Sequence, residues 1–312
     1  MKDVIIIGAG PAGMTAAIYA HGAGLSVALV ERAVCGGQMA VSSLIDNYPG
    51  LGTVRGSELS EKMLKQVEAT GICITYADVR GIERDGDLFR VIVGDGAICG
   101  YSVILATGVK RREAGFAGER ELIGKGVSYC AVCDGAFFRD RDVCVVGGGN
   151  SAVEEALYLS ELCRRVYVVH RREKFRADEK YTLALERKAN IIPYMGYVPI
   201  RAIGKEAVSG LEIESEGGGN REVLQVRGVF VAVGLVPDNV RFADTVPLTR
   251  DGYFITDGEC RTSVDGIFAC GDGRQKRHRQ ITTAVADGTV AATLCAEYVR
   301  DVKASRSSAA VL

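Results

Sequence analysis

Cys130 and Cys133, in the stretch YCAVCDGAFF (129–138), are separated by two residues and are followed at once by Asp134. A C-x-x-C can be half of a zinc site, a dithiol that makes and breaks a disulfide, or an accident of composition. Tetrahedral zinc needs four ligands. The chain has no second C-x-x-C and no H-x-H pair, and its histidines, at 21, 170 and 278, are scattered. The spacing therefore favours redox chemistry over metal binding. Opening a disulfide creates a thiolate that something must protonate. No histidine lies near the pair in sequence, so Asp134 is the candidate acid, since a carboxyl beside sulfur in a partly desolvated site can supply a proton. Its alternative is a helix N-cap, and the two roles are compatible.

Two further stretches could hold the electron carriers such a pair needs. DVIIIGAGPAGMTAAIYA (3–20) places Gly8, Gly10 and Gly13 between an apolar run and an amphipathic one. DVCVVGGGNSAVEEALYL (142–159) does the same with Gly147, Gly149 and Ala152. Each reads as strand, G-x-G-x-x-G/A turn, helix. The first glycine makes the turn, the second admits a pyrophosphate, and the third position lets the helix pack on the strand. The helix N-terminus then faces the phosphates. Twenty-three residues after Gly8 comes Glu31, and the same distance after Gly147 comes His170, followed by Arg171 and Arg172. An acid there grips a ribose hydroxyl; a base accommodates a 2′-phosphate. The first site should hold FAD or NAD, the second NADPH, with Arg176 completing the basic clamp. A plain solvated basic face is the competing reading of these arginines. TSVDGIFACGDG (262–273) ends a strand at Gly271-Asp272, where an aspartate can meet a sugar-alcohol hydroxyl.

The elements that must position these groups fit the bulk numbers. At 312 residues the chain has room for about two domains, and 47% hydrophobic content can fill their cores. With 38 basic and 39 acidic residues it shows no basic excess, which speaks against nucleic-acid binding. Val4-Ile5-Ile6-Ile7 is too short for a signal-peptide core and reads as a buried strand. No stretch approaches the roughly 18 apolar residues of a membrane span, so a soluble, cytoplasmic protein is expected. The ten cysteines should be mostly reduced in such a compartment, with Cys144 a small core residue.

At this point the residues resemble one family closely, the low-molecular-weight, bacterial-type thioredoxin reductases. The matching pieces are GAGPAG (8–13), GGQ (36–38), NYPG (47–50), ATG (106–108), CAVCDG (130–135), GGGNSAVEEA (147–156), HRREKFRA (170–177), GIFACGD (266–272) and RQITTA (279–284). They occur in family order over nearly the whole chain. The resemblance implies tightly bound FAD, NADPH as reductant, thioredoxin as acceptor and a homodimer. It implies an α/β fold of two Rossmann-like, three-layer domains. The FAD domain would be discontinuous, residues 1–112 and 241–312, with the NADPH domain, 113–240, inserted. FAD contacts would come from Gly8, Gly10, Pro11, Ala12 and Gly13, from Glu31 and Arg32, and from Gly37, Gln38 and Asn47. They would continue with Ala106, Thr107 and Gly108, with Gly271 and Asp272, and with Arg279, Gln280 and Ile281. NADPH contacts would come from Gly147, Gly149, Asn150, Ser151, Ala152, His170, Arg171, Arg172 and Arg176. Cys130 and Cys133 would be the redox disulfide, with Asp134 beside them. The segment GDGRQKRHRQI (271–281) is unusually basic, and nothing in the sequence accounts for it.

The disulfide and the nicotinamide site would ride on one domain and the flavin on the other. If both must reach one flavin face, the inserted domain must rotate about its linkers, KRREAGFAGE (110–119) and GLVPDNVRF (234–242). The expected chemistry is a thioredoxin-disulfide reductase. A flavin-dependent dithiol oxidase would need no basic clamp. A hydroperoxide-reductase flavoprotein would need an extra N-terminal domain, for which residue 1 leaves no room. A non-enzymatic redox-sensing nucleotide-binding module would bind both nucleotides without turnover.

Overall fold

A computed structural model describes residues 1–40, 42 and 45–309, with side chains to 306. The chain divides into two compact units, Met1–Lys110 with Val236–Leu312, and Arg111–Leu235. The first begins β1 (Lys2–Ile7), α1 (Pro11–Gly22), β2 (Val27–Glu31), α2 (Gly56–Ala69) and β3 (Ile74–Tyr76). A meander follows: β4 (Val79–Asp85), β5 (Leu88–Val93) and β6 (Gly96–Leu105). The short β7 (Val109–Arg111) leads on. The second unit runs β8 (Val127–Ser128), α3 (Ala131–Asp134), β9 (Asp142–Val146), α4 (Asn150–Ser160), β10 (Arg165–His170) and α5 (Glu179–Glu186). It continues β11 (Ile191–Met195), β12 (Tyr197–Ile203), β13 (Gly210–Ser215), β14 (Arg221–Leu224) and β15 (Gly228–Val231). The chain returns through β16 (Leu235–Pro237) to β17 (Ile267–Ala269) and α6 (Ile281–Ala309).

In the first unit β3, β2, β1 and β6 lie side by side and parallel, and β17 joins β6 in parallel. β1 sits inside this sheet, covered on both faces, which is why Val4-Ile5-Ile6-Ile7 is apolar without alternation. Val4 and Ile6 enter one core and Ile5 and Ile7 the other. Small residues bring α1 and α6 together. Gly288 of α6 comes so close to α1 that a Cβ there would lie 2.3 Å from the Ala12 carbonyl oxygen. That approach sets the start of α1, and the fingerprint turn with it.

The second unit repeats the plan, with an all-parallel sheet in the order β11-β10-β9-β15-β8. Parallel βαβ units alone do not account for either unit. β4, β5 and β6 form an antiparallel extension, and β12, β13 and β14 a separate antiparallel sheet. Gly86 and Gly94, with φ of 61° and 53°, turn the first meander in a conformation that favours glycine. Among the described residues no helix is long and apolar enough to cross a membrane.

Candidate active site and nucleotide clefts

The fingerprint turn after β1 is built around its glycines. Gly8 has φ of 106°, and a Cβ on it would stand 2.4 Å from the Ala106 carbonyl oxygen. A Cβ on Gly13 would stand 1.8 Å from the Gly8 carbonyl oxygen. Both are demanded by the protein itself. Gly10 is different: its φ is −77°, and nothing lies within 4 Å of where its Cβ would be. The fold does not require glycine there, whereas a phosphate approaching the backbone does. Pro11 opens α1, and no side chain caps the helix, so its first N–H groups are available to an anion.

Glu31, at the end of β2, is locked by its own loop. Its Oε2 accepts the Ala9 N–H at 2.8 Å and its Oε1 the Ala33 N–H at 2.9 Å. These bonds leave lone pairs on both oxygens for a ribose, and Glu31 lines a small cleft with Gly8, Arg32, Asp78 and Thr107. Arg32 is engaged elsewhere, donating to Asp238 at 2.8 Å. Burial would raise the Asp238 carboxyl, but Lys110, Arg32 and Arg241 hold it down to about 2.

The remaining expected flavin residues are gathered by long-range contacts. Gly37, on a 3-10 turn, comes 3.5 Å from the Gly10 Cα, measured from its would-be Cβ. Asn47 Nδ2 donates to Gln280 Oε1 at 3.4 Å. Gly271 faces Ala12, Cβ to Cβ at 2.8 Å were it an alanine. Arg279 stacks on Tyr253 at 4.3 Å and donates to the Asp272 carbonyl oxygen at 3.4 Å. Asp272 Oδ1 is buried with no hydrogen-bond partner, and burial pushes this carboxyl up. A buried acceptor without a donor fits a ligand hydroxyl. Asn239, which the sequence reading did not single out, ties the loops together. It is fully buried, accepts from Thr107 Oγ1 at 2.7 Å, and donates to the Gly252 and Gly273 carbonyl oxygens at 3.0 and 2.9 Å.

The second fingerprint mirrors the first. Gly147 has φ of 148°, and a Cβ on it would lie 2.4 Å from the Ala232 carbonyl oxygen. Gly149, like Gly10, has nothing within 4 Å. Its cleft, of about 750 Å³, is lined by Gly147 to Ser151, His170, Arg171 and Arg176, with Tyr197 to Pro199 along one wall. Asn150 is paired with Asp178, through the Asp178 N–H at 2.8 Å and side chain to side chain at 3.2 Å. Arg172 is exposed and does not line the cleft, and Ala152 packs in the core beneath it. His170 is buried, its ring stacked on Phe175 at 5.9 Å, and its Nε2 has no partner. Burial pulls this imidazole down, and Arg176, Arg172 and Arg171 add to that. It also explains Gly148, unnoticed in the sequence: a Cβ there would strike the His170 ring at 2.3 Å. The Arg176 N–H reaches back to the Gly148 carbonyl oxygen at 2.7 Å, locking basic loop to glycine turn.

Cys130 and Cys133 form a disulfide at the start of α3, and the other described cysteines are free thiols. Cys130 is itself the N-cap, its Sγ accepting the Cys133 N–H at 3.2 Å. Asp134 is the last residue of α3 and stands at the N-cap of the 3-10 turn Gly135–Phe138, where its side chain makes no cap hydrogen bond. Its Oδ2 accepts the Ser128 hydroxyl at 2.6 Å, and that hydroxyl accepts the Cys130 N–H at 3.1 Å. Ser128 thus joins carboxyl to disulfide, a role no local pattern announces. Arg111 lies 5.3 Å over the Tyr129 ring and faces both Asp134 and Glu155. Tyr129 in turn donates to Glu119 at 2.7 Å. Glu155, in α4, has a buried Oε2 without a partner, and burial pushes its carboxyl up to about 8. No group of three metal-ligating side chains occurs among the described residues.

A redox disulfide in the same unit as one glycine-turn cleft, with a second cradle elsewhere in the chain, is the arrangement of a nucleotide-driven disulfide enzyme. Residues 2–288 match the pyridine nucleotide-disulphide oxidoreductase family, which couples flavin and pyridine nucleotide to a disulfide, and the chain belongs to it. It is 43% identical to a thioredoxin reductase of Listeria monocytogenes over 97% of this chain and 95% of that one. A solved thioredoxin reductase of Streptococcus pyogenes, 43% identical, matches with a TM-score of 0.92 over 96% of this chain and 99% of its own. One from Lactococcus lactis, described as in an FR conformation, is 42% identical over 96% and 100% but scores 0.67. Within the family, the chain is a member of the thioredoxin reductases.

Proposed function

We propose that this enzyme reduces thioredoxin with electrons from NADPH, through FAD held in the cradle of residues 1–110 and 236–312. The observation that carries this is the pairing within one unit of the Cys130–Cys133 disulfide with a cleft lined by Arg171 and Arg176. Glu31 suits the free ribose of FAD, and the arginines suit the 2′-phosphate of NADPH. When bound, the flavin relays an electron pair from reduced nicotinamide to the disulfide.

The chain's own residues do the rest. Two electrons and one proton turn the Cys130–Cys133 disulfide into one thiol and one thiolate. Asp134, oriented by Ser128, supplies the proton and regains it from solvent. The thiolate attacks a thioredoxin disulfide, forming a mixed disulfide and releasing one partner sulfur. The second cysteine of the pair gives up its proton to the released partner sulfur and displaces the other, which takes a proton from solvent, so that thioredoxin leaves as a dithiol and Cys130–Cys133 closes again.

Since disulfide and nicotinamide cleft share unit 111–235, the unit must turn between half-reactions for each to meet the flavin. A homodimer acting in the cytoplasm completes the proposal, and sedimentation checks the dimer. The decisive experiment is NADPH oxidation by the purified yellow protein with and without thioredoxin. Oxidation should be sustained only with thioredoxin, and mass spectrometry of the released flavin should give FAD. Turnover with oxygen and small thiols alone would point to a dithiol oxidase, and release of FMN would overturn the FAD assignment.

A further inference from the structure

Residues 274–279 carry four basic side chains, and the structure turns two of them inward. The side chain of Arg274 is 13% exposed and that of Lys276 only 8%. Both end on Asp287, a buried carboxylate of α6. Arg274 grips it with both prongs, Nε to Oδ2 and Nη2 to Oδ1, each at 2.9 Å. Lys276 Nζ donates to Oδ2 at 2.9 Å. The same Oδ2 accepts the Gly271 N–H at 3.1 Å. One carboxylate thus ties the turn before Asp272 to two residues after it. A bidentate arginine fork of this kind fixes direction as well as energy.

The cluster is also a matter of charge. Asp287 is one anion facing two cations, which leaves one positive charge over. Asp272 supplies the balancing anion: its Oδ1 lies 3.7 Å from Lys276 Nζ. That is ion-pair range but too long for a hydrogen bond, and Oδ1 has no other partner. We propose that Asp287, Arg274 and Lys276 form a buried clamp that presents Gly271–Asp272 to the flavin, and that Lys276 is a positioning residue keeping Asp272 anionic while leaving Oδ1 free for a flavin hydroxyl. This inference rests on the FAD reading above.

The groups facing Asp272 decide its charge. Burial favours the neutral acid, Lys276 and Arg279 favour the anion, and Asp287 again opposes it. Tyr253, stacked under Arg279, is a further titratable neighbour. With Lys276 gone, Arg274 and Asp287 stay paired, so no new unpaired cation is buried. Asp272 alone loses its counter-charge and takes up a proton at higher pH than before. A hydrogen bond to a charged acceptor is about twice as strong as one to a neutral acceptor.

The test uses the holoenzyme. Flavin release from the wild type and from Lys276→Met is followed by recovery of flavin fluorescence between about pH 5 and pH 8. Lys276→Met should lose flavin roughly tenfold faster near neutrality, and the acid limb of its release profile should move to higher pH. Lys276→Arg should restore slow release, since it replaces the charge. A Lys276→Met protein with the wild-type rate and profile would overturn the clamp. So would release that is faster by the same factor at every pH, which is loosening rather than a change in the charge of Asp272. A wild type that holds no flavin would overturn both this inference and the reading beneath it.

Discussion

Replacing Glu155 by Gln should remove a pH dependence of stability that the wild-type chain carries. The carboxyl has lost water without gaining a full set of partners. Its Oε2 is buried and unbonded, and burial outweighs the pull of Arg111 and the Ala131 N–H, leaving it at about 8 against an ordinary 4.5. The sign follows directly. Over that window the folded chain keeps a proton that the unfolded chain has released. Stability from the protonated form is therefore complete below about 4.5 and is lost as pH rises through about 8. One proton of difference is worth about 1.4 kcal/mol per pH unit, so between about pH 5.5 and pH 7.5 the wild type loses on the order of 3 kcal/mol through this group alone. Gln keeps the shape of the side chain and an oxygen for the Ala131 N–H, and it does not titrate. Urea denaturation of both proteins at the two pH values reads the difference. Glu155→Gln should gain on the wild type by on the order of 3 kcal/mol on going from about pH 5.5 to pH 7.5. A gap between the two that is the same at both pH values would refute the reasoning, because Glu155 would then be ionised in the folded chain throughout.

Arg171→Ala should raise KM for NADPH by roughly 10- to 150-fold, the loss of one charge-assisted phosphate contact, and leave NADH almost unchanged. Arg172→Ala should do much less, because Arg172 does not line the cleft; equal losses with both nucleotides would make these arginines structural. Cys130→Ser or Cys133→Ser should abolish thioredoxin reduction while NADPH still bleaches the flavin in a stopped-flow trace. Asp134→Asn should slow only the disulfide half, by up to roughly 10²–10⁴-fold, and a matching loss in flavin reduction would remove Asp134 from its role as acid. A crosslink that stops the unit 111–235 from turning should separate the two half-reactions, and full steady-state turnover in the crosslinked enzyme would dispose of the rotation.

The parts of this molecule legible in its sequence are those whose cause is local. A fingerprint turn is one strand, three small residues and one helix; the clash that demands glycine at Gly13 comes from Gly8, five residues away, and Gly8 needs glycine locally for its φ of 106°. Cys130 and Cys133 are likewise three residues apart. What escaped the reading acts at long range or through a single neighbour. Asn239 joins Thr107, 132 residues away, and no periodicity marks it. Glu155 looks like any polar residue of an amphipathic helix, and only the packing of α3 and Arg111 around it makes it unusual. The excess of basic residues at 274–279 was visible, but its partner is one aspartate of α6. The antiparallel strands β4–β6 and β12–β14 escaped because hairpins leave weaker signals than glycine-rich strand-helix turns.

The two clefts answer one geometric problem with opposite electrostatics, and the difference suits a resident cofactor and a passing one. Around the first, the polar groups are bonded to the protein and several are buried: Asn239 is fully enclosed, Asp287 holds two buried cations, and the half-buried Glu31 is locked by two backbone N–H groups. Such a network costs little to keep once formed and much to disturb, because each broken bond strands a buried group. A ligand completing it, at the free oxygen of Asp272, would leave slowly. Around the second, Arg171 and Arg176 are exposed. Their charges are screened by water and salt, so each contact is weaker and more quickly exchanged. Slow release from the first cleft and rapid exchange at the second are what the proposed resident flavin and passing nicotinamide would require. The flavin-release profile of Lys276→Met and the KM of Arg171→Ala therefore measure the two halves of a single division of labour.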